Sequence, residues 1–84
     1  MKRLQKFVEK GPYGEGHGRT AYLLGLGTLP PPADGMEWQP VDTFNAGDEL
    51  LKHPGLKEVF KVAIDKGCAV IAPSAWKTIL DSRD

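Results

Sequence analysis

Apolar residues recur with a helical period in the second half of the chain. Between Pro54 and Lys66 they fall at positions i, i+3, i+4, i+7 and i+8, which places them on one stripe of a helix. These residues are Leu56, Val59, Phe60, Ala63 and Ile64. Pro54 suits the first helical position, and Gly67 suits the left-handed residue that follows a helix. The pattern therefore predicts a helix over Pro54–Lys66.

An unbroken apolar run, Cys68–Ala72, follows this helix directly and lies between Gly67 and Pro73. A short run of this kind is typical of a strand that is buried on both faces. Ser74 can cap a final helix, in which the apolar residues again have helical spacing. The second half is thus predicted to be helix, strand and helix.

The central segment contains a short helix and a strand. Asn45–Lys52 is predicted to be a helix with Asn45 as its cap, and it meets the next helix at His53, which precedes a proline. Met36–Phe44 is a strand candidate, and Pro40 within it favours an edge position. Leu29–Gly35 is a connector, stiffened by three prolines and ended by an Asp-Gly turn.

The first third is ambiguous between helix and strand. Leu4–Val8 fits either structure. Arg19–Leu26 can also form either, but Gly25 and Gly27 favour a strand because each weakens a helix by about 1 kcal/mol. Together with the 84-residue length, the elements predict a single α+β domain over residues 1–84. We expect a small single-layer sheet packed against two or three helices.

The composition indicates a cytoplasmic protein. Cys68 is the only cysteine, so no disulfide can form within one chain. The basic residues at the N-terminus are not followed by the apolar run of a secretory signal. The longest apolar run, Cys68–Pro73, is far shorter than a membrane span of about 20 residues. We therefore expect no membrane association.

Charge is zero overall but is distributed unevenly. The first ten residues carry four basic side chains and one acidic one, and residues 11–50 carry one basic and six acidic side chains. Residues 51–84 carry six basic and four acidic ones. A nucleic-acid-binding domain usually has a larger basic excess, because phosphate contacts supply most of its affinity. Nucleic acid is therefore an unlikely partner.

Gly11–Thr20 is the most unusual stretch, with four glycines that leave its backbone able to surround an anion. It does not contain the nucleotide-binding loop pattern. Gly16–Ala21 does fit the dinucleotide pattern, but no apolar strand precedes it, and the chain is too short for a dinucleotide-binding domain. As a loop that presents side chains, it predicts ligand contacts from Tyr13, Glu15, His17 and Arg19. The alternative is a solvated connection between strands.

No catalytic residue, metal site or cofactor is predicted. The two histidines, His17 and His53, lack the spacing of a metal-binding pair. Cys68 begins an apolar strand next to the negative end of a helix, which disfavours a thiolate, so we interpret it as a small core residue.

Two functional hypotheses remain. The first is a non-enzymatic module that binds a protein partner or forms a homo-oligomer, with Trp38 and Val41 on the Met36–Phe44 strand and the acidic central segment as contact surfaces. The second is an anion or small-ligand binding protein, or a minor enzyme, that uses the glycine-rich loop.

Overall fold

The computed structural model describes residues 3–11, 18–25 and 27–81. Within these ranges the chain forms one sheet and three helices: β1 Arg3–Lys10, β2 Thr20–Leu24, β3 Glu37–Asn45, α1 Ala46–Lys52, α2 Lys57–Lys66, β4 Cys68–Ile71 and α3 Pro73–Asp81. The strand order is β3-β1-β2-β4, and every neighbouring pair is antiparallel. The predicted α+β class is confirmed. No helix in the described ranges has the length and apolar character needed to cross a membrane.

Both ambiguous segments in the first third are strands. β1 and β2 pair in a register that runs from Leu4 opposite Leu24 to Val8 opposite Thr20. The strand interpretation of the second segment is therefore confirmed over Thr20–Leu24, and Leu26 lies outside the described residues. The two segments form the centre of the sheet, where each has a strand on both sides.

One face of the sheet carries the main core. Side chains alternate between the two faces along a strand. Leu4 on β1 lies opposite Leu24 on β2, two residues from Tyr22, so Leu4 and Tyr22 share a face, and this face carries the helices. The core residues are Leu4, Tyr22, Ala46, Leu56, Phe60, Ala63, Ala69 and Ile71. At their centre, the Tyr22 ring meets the Phe60 ring at a near-perpendicular angle, with 4.9 Å between ring centres.

The apolar stripe of α2 is confirmed, but its first turn differs from the prediction. Phe60 and Ala63 are fully buried against the sheet. Pro54–Leu56 form a separate turn of 3-10 helix, closed by a bond from Leu56 N–H to the carbonyl of His53, and α2 proper begins at Lys57. Gly67 ends α2 with φ of 89° and donates its N–H to the carbonyl of Ala63.

The prediction that Cys68–Ala72 is a strand buried on both faces was wrong. β4 spans Cys68–Ile71 and lies at an edge of the sheet, paired with β2 alone in the described residues. Its alternate residues Ala69 and Ile71 are buried under α2, whereas Val70 on the other face is 39% exposed. An apolar run this short does not distinguish a central strand from an edge strand, because both contain few polar residues.

The two predicted helix caps have different outcomes. Asn45 is the N-cap residue of α1, as predicted, although its side-chain amide donates to a carboxylate oxygen of Asp48 (3.3 Å) and makes no cap bond to the helix backbone. α3 begins at Pro73, so Ser74 lies within the first turn and does not precede it. Pro73 is favourable there because its missing N–H would have no partner within the helix.

Residues 27–36, which we call the strap, cross the sheet face opposite the helices. The strap begins where Gly27 approaches the carbonyl of Gly67, near β4. It ends at β3 on the other side, after a turn in which Met36 N–H donates to the carbonyl of Ala33. Gly35 has φ of 76° in this turn, as the Asp-Gly pair predicts. The sheet is thus covered by helices on one face and by the strap on the other.

We predict that Gly67→Ala lowers the free energy of unfolding by about 1 kcal/mol, because alanine is strained at positive φ. A Cβ at this position would meet only Gly27 Cα at 3.6 Å, so crowding adds little. The measurement is urea unfolding followed by circular dichroism. Gly47→Ala, which falls within α1, is the matched control, and we expect it to be neutral or slightly stabilising. Equal losses for both variants would contradict the prediction.

Candidate functional site

A buried ion pair joins the ends of β1 and β2. Glu9 is only 2% exposed, and its carboxylate accepts two bonds from the Arg19 guanidinium, at 3.0 Å from Nε and 2.7 Å from Nη2. The same carboxylate accepts the backbone N–H of Arg19 at 2.9 Å and that of Ala33 at 2.7 Å. Four donors therefore satisfy the two oxygens of one buried carboxylate.

These contacts keep Glu9 ionised. The Arg19 guanidinium bonds lower the pKa of Glu9 from 4.5 to about 2, against the opposing effect of burial, and the two backbone N–H groups contribute in the same direction. The bond to Glu9 also raises the pKa of Arg19. The pair is closely packed, because a Cβ added at Gly18 would lie 2.6 Å from Cβ of Glu9. Gly18 is therefore required where the chain passes this carboxylate.

Arg19 and Trp38 both hold the strap. Arg19 Nη2 donates to the carbonyl of Pro31 at 3.0 Å, and the guanidinium lies 5.3 Å from the centre of the Trp38 ring. Trp38 Nε1 donates to the carbonyl of Pro30 at 2.7 Å. The predicted ligand residue Arg19 and the predicted interface residue Trp38 thus lie side by side, and both bind carbonyls of the same proline-rich segment.

The other predicted site residues are distributed differently. Tyr13, Glu15 and His17 lie outside the described residues. Val41 is 55% exposed and is the extra residue of a β-bulge in β3, since Lys6 pairs with Asp42 and the next residue of β1 pairs with Pro40.

The two edges of the sheet differ in their protection. β3 contains Pro40, which has no N–H to donate, and the bulge at Val41 interrupts its regular pairing. Charged residues Glu37 and Asp42 also lie along it. β4 has none of these features and consists of Cys68, Ala69, Val70 and Ile71. By the usual criteria for edge strands, β3 is blocked against further pairing and β4 is open to it.

The outer edge of β4 presents unpaired backbone groups. The Leu24 N–H donates to the carbonyl of Gly67 at 2.9 Å, and hydrogen-bonded residues alternate along an antiparallel ladder. Ala69 and Ile71 therefore direct their backbone groups toward β2, whereas Cys68 and Val70 direct theirs outward. No strand in the part of the chain that the structure describes covers this outer side.

An apolar groove lies beside this edge. It has a volume of about 230 Å³ and lies between α2 and β4, with Val62 (41% exposed) and Val70 on its two sides. Glu58 lines it as well, and Lys66 is an exposed residue in the last turn of the same helix. We call Glu58, Val62, Lys66, Cys68 and Val70 the β4 edge surface.

Cys68 has the properties of a packing residue. Its side chain is half-buried, and burial raises the pKa of the thiol. A raised pKa leaves the thiol protonated and uncharged at neutral pH. An uncharged, half-buried thiol packs as a small apolar group, here beside the outer edge of β4. Within residues 3–11, 18–25 and 27–81, no group of three His, Cys, Asp or Glu side chains is arranged to hold a metal ion.

A larger cavity of about 390 Å³ adjoins the base of the glycine-rich segment. It is lined by Val8, Glu9, Gly18, Thr20, Pro73 and Trp76. Trp76 Nε1 donates to the hydroxyl of Thr20 at 2.9 Å and fixes the indole against the sheet. The cavity thus combines apolar side chains with the polar residues Glu9 and Thr20, and its wall includes Gly18 from the predicted ligand stretch.

Comparison of the chain with protein-family models, with curated proteins and with solved structures found no match.

Glu9 is the residue that the sequence reasoning missed. It lies directly opposite Arg19 at the end of the β1–β2 ladder, where the Glu9 N–H donates to the carbonyl of Arg19. The available signal was a pair of opposite charges ten residues apart, on either side of the glycine-rich segment. Two strands joined in this register would bring the pair together.

We predict that Glu9→Gln lowers the free energy of unfolding by about 2 kcal/mol at neutral pH, a value discounted because the Arg19 side chain is 34% exposed. In the natural protein four N–H donors bind the Glu9 carboxylate. The glutamine side chain has an NH2 group in place of one carboxylate oxygen, so this group would face N–H donors and leave them without an acceptor. Because the pKa of Glu9 is lowered by folding, its stabilisation is complete above about pH 4.5 and is lost as pH falls toward about 2.

The measurement is chemical unfolding across that pH range. The Gln variant should lose less stability on acidification than the natural protein, and Glu37→Gln, at an exposed position on β3, should retain the natural pH dependence. Parallel acid curves for the natural protein and Glu9→Gln would contradict the assignment.

Proposed function

We propose that the chain is a protein-association module that binds an extended polypeptide segment along the outer edge of β4. The observation that carries the proposal is the contrast between the edges: β3 is interrupted by Pro40 and a bulge, whereas β4 is an uninterrupted apolar strand. Proteins normally protect an exposed edge strand, and an unprotected edge is a site at which another strand can pair.

The geometry of β4 supports strand addition. The outward N–H and C=O groups of Cys68 and Val70 supply the main-chain hydrogen bonds, which give affinity without requiring a particular sequence. Val70 and Val62 supply exposed apolar surface beside that ladder. Selectivity then arises from the side chain that the incoming strand places in the groove between α2 and β4.

The use of charged groups elsewhere supports an association role over acid–base chemistry. The pKa of the Glu9 carboxyl is lowered, and its carboxylate is fully engaged by Arg19 and Ala33. We place this association in the reducing cytoplasm, where the Cys68 thiol beside the edge remains unoxidised.

We predict that a short peptide of alternating Val and Thr binds along β4. N-methyl groups along one of its edges leave only the other edge able to pair. Binding should shift the amide resonances of Cys68 and Val70 and slow their hydrogen exchange at millimolar peptide. Val70→Pro should weaken binding at least about tenfold, because it removes an outward N–H and leaves the ladder to β2 intact.

The matched control is Val70→Thr, which retains the N–H and the β-branched shape and should bind as the natural chain does. If Val70→Pro fails to fold, the exchange rates of the natural chain still decide the question. In a sample dilute enough to be monomeric, exchange at Cys68 and Val70 that peptide leaves unchanged would overturn the proposed function.

A second candidate function is small-ligand binding in the cavity beside Trp76. The observation in its favour is the position of the cavity, with Gly18 and Thr20 from the predicted ligand stretch in its wall. Its volume of about 390 Å³ falls within the usual range for small-molecule sites.

Titration with inorganic phosphate, AMP and benzoate tests this candidate. Binding should move the Trp76 indole N–H resonance and the Thr20 amide resonance at millimolar ligand, whereas the Val70 amide should stay unchanged. If all three probes leave both resonances in place, the cavity is not a site for these ligand classes.

A further inference from the structure

We propose that the strand bound by β4 is the β4 strand of a second copy of this chain, so that the protein forms a two-fold symmetric dimer. This inference rests on the proposed function and names its partner. Three independent features of the β4 edge surface carry it: the direction of the backbone groups, the order of residues along α2, and the difference between the two sheet edges.

The backbone of β4 can pair with itself. A two-fold axis relates antiparallel strands, and the outward groups of Val70 then face those of Val70 in the second copy. In this register the two Val70 residues exchange both main-chain hydrogen bonds. Their side chains lie directly opposite each other, which brings two exposed apolar groups into contact.

The exposed row of α2 is complementary to itself under the same axis. Glu58, Val62 and Lys66 follow one another at i, i+4 and i+8, so they form a row along one side of the helix. All three are exposed, and Val62 borders the same groove as Val70. A two-fold axis near Val62 places the two helices antiparallel.

Antiparallel helices bring opposite charges together at both ends of this row. Glu58 of each copy faces Lys66 of the other, and the two Val62 side chains meet between these pairs. A row with the same charge at both ends would repel its own copy in this arrangement. The order acidic, apolar, basic is therefore what a symmetric helix pair requires.

The edges of the sheet explain why association stops at two copies. Pairing through β4 gives a continuous sheet of eight strands in the order β3-β1-β2-β4-β4-β2-β1-β3. Both outer edges are then β3, which Pro40 and the bulge at Val41 interrupt. In the dimer the β4 edge of each chain is paired, and only the protected β3 edges remain exposed.

The test uses charge reversals in the row, measured by sedimentation equilibrium at low ionic strength. The natural chain should dimerise, and Glu58→Lys or Lys66→Glu alone should raise the dimer dissociation constant about tenfold or more, because each replaces two attractions by two repulsions. An equimolar mixture of the two single variants should recover dimerisation, since each mixed dimer has one variant of each kind and both charge pairs are attractive.

Lys61→Glu is the matched control. Lys61 is also exposed on α2, but it lines a different groove, next to Leu50, so its reversal should leave the dissociation constant unchanged. Circular dichroism and urea unfolding of each variant confirm that the monomer is folded. The mixture contains the same two variants that are measured separately. A small loss of helix stability in either variant is therefore present in both measurements and cannot produce the recovery of dimerisation.

Three outcomes would overturn the dimer. A natural chain that remains monomeric at millimolar concentration while still binding the Val-Thr peptide would reject this inference and leave the proposed function standing. A dimer that persists in Val70→Pro would show that another surface is used. A mixture that dimerises no better than the separate variants would reject the two-fold pairing of Glu58 with Lys66.

Discussion

The arrangement of the sheet depends on the hydrogen bonds that the buried Glu9 carboxylate accepts. This carboxylate binds the guanidinium of Arg19 and the backbone of Ala33, and so joins β1, β2 and the strap at one point. The strap carries the chain from the β4 side of the sheet to β3, which then pairs with the outer side of β1. Because β3 occupies that edge, β4 is left as the opposite edge.

The two faces of the sheet are covered by different segments, and its two edges differ in their protection against further pairing. Helices cover one face with a core centred on Tyr22, and the strap covers the other with backbone carbonyls held by Arg19 and Trp38. β3 ends the sheet with a proline and a bulge, whereas β4 ends it with an apolar strand. The proposed association follows from this last difference, because β3 is protected by Pro40 and a bulge and β4 is not.

Local patterns in the sequence predicted those features that depend on near neighbours. The stripe of α2, its glycine at position 67 and the edge position of the strand with Pro40 are all set by residues within a few positions of one another. Long-range pairing could not be predicted in this way. Recognising Glu9 required the register of β1 against β2, and recognising β4 as an edge required the order of all four strands. A short apolar run has the same composition in either position.

Hydrogen exchange at the Val70 amide reports whether the outer edge of β4 pairs with a second copy of the chain. The exchange rate is compared between a dilute sample, on the order of 20 µM, and a concentrated one, on the order of 1 mM. We expect exchange of the Val70 amide to slow as concentration rises, whereas amides along β3 should exchange at the same rate in both samples. Equal exchange of the Val70 amide at the two concentrations, or slowing along β3 instead, would contradict association through β4.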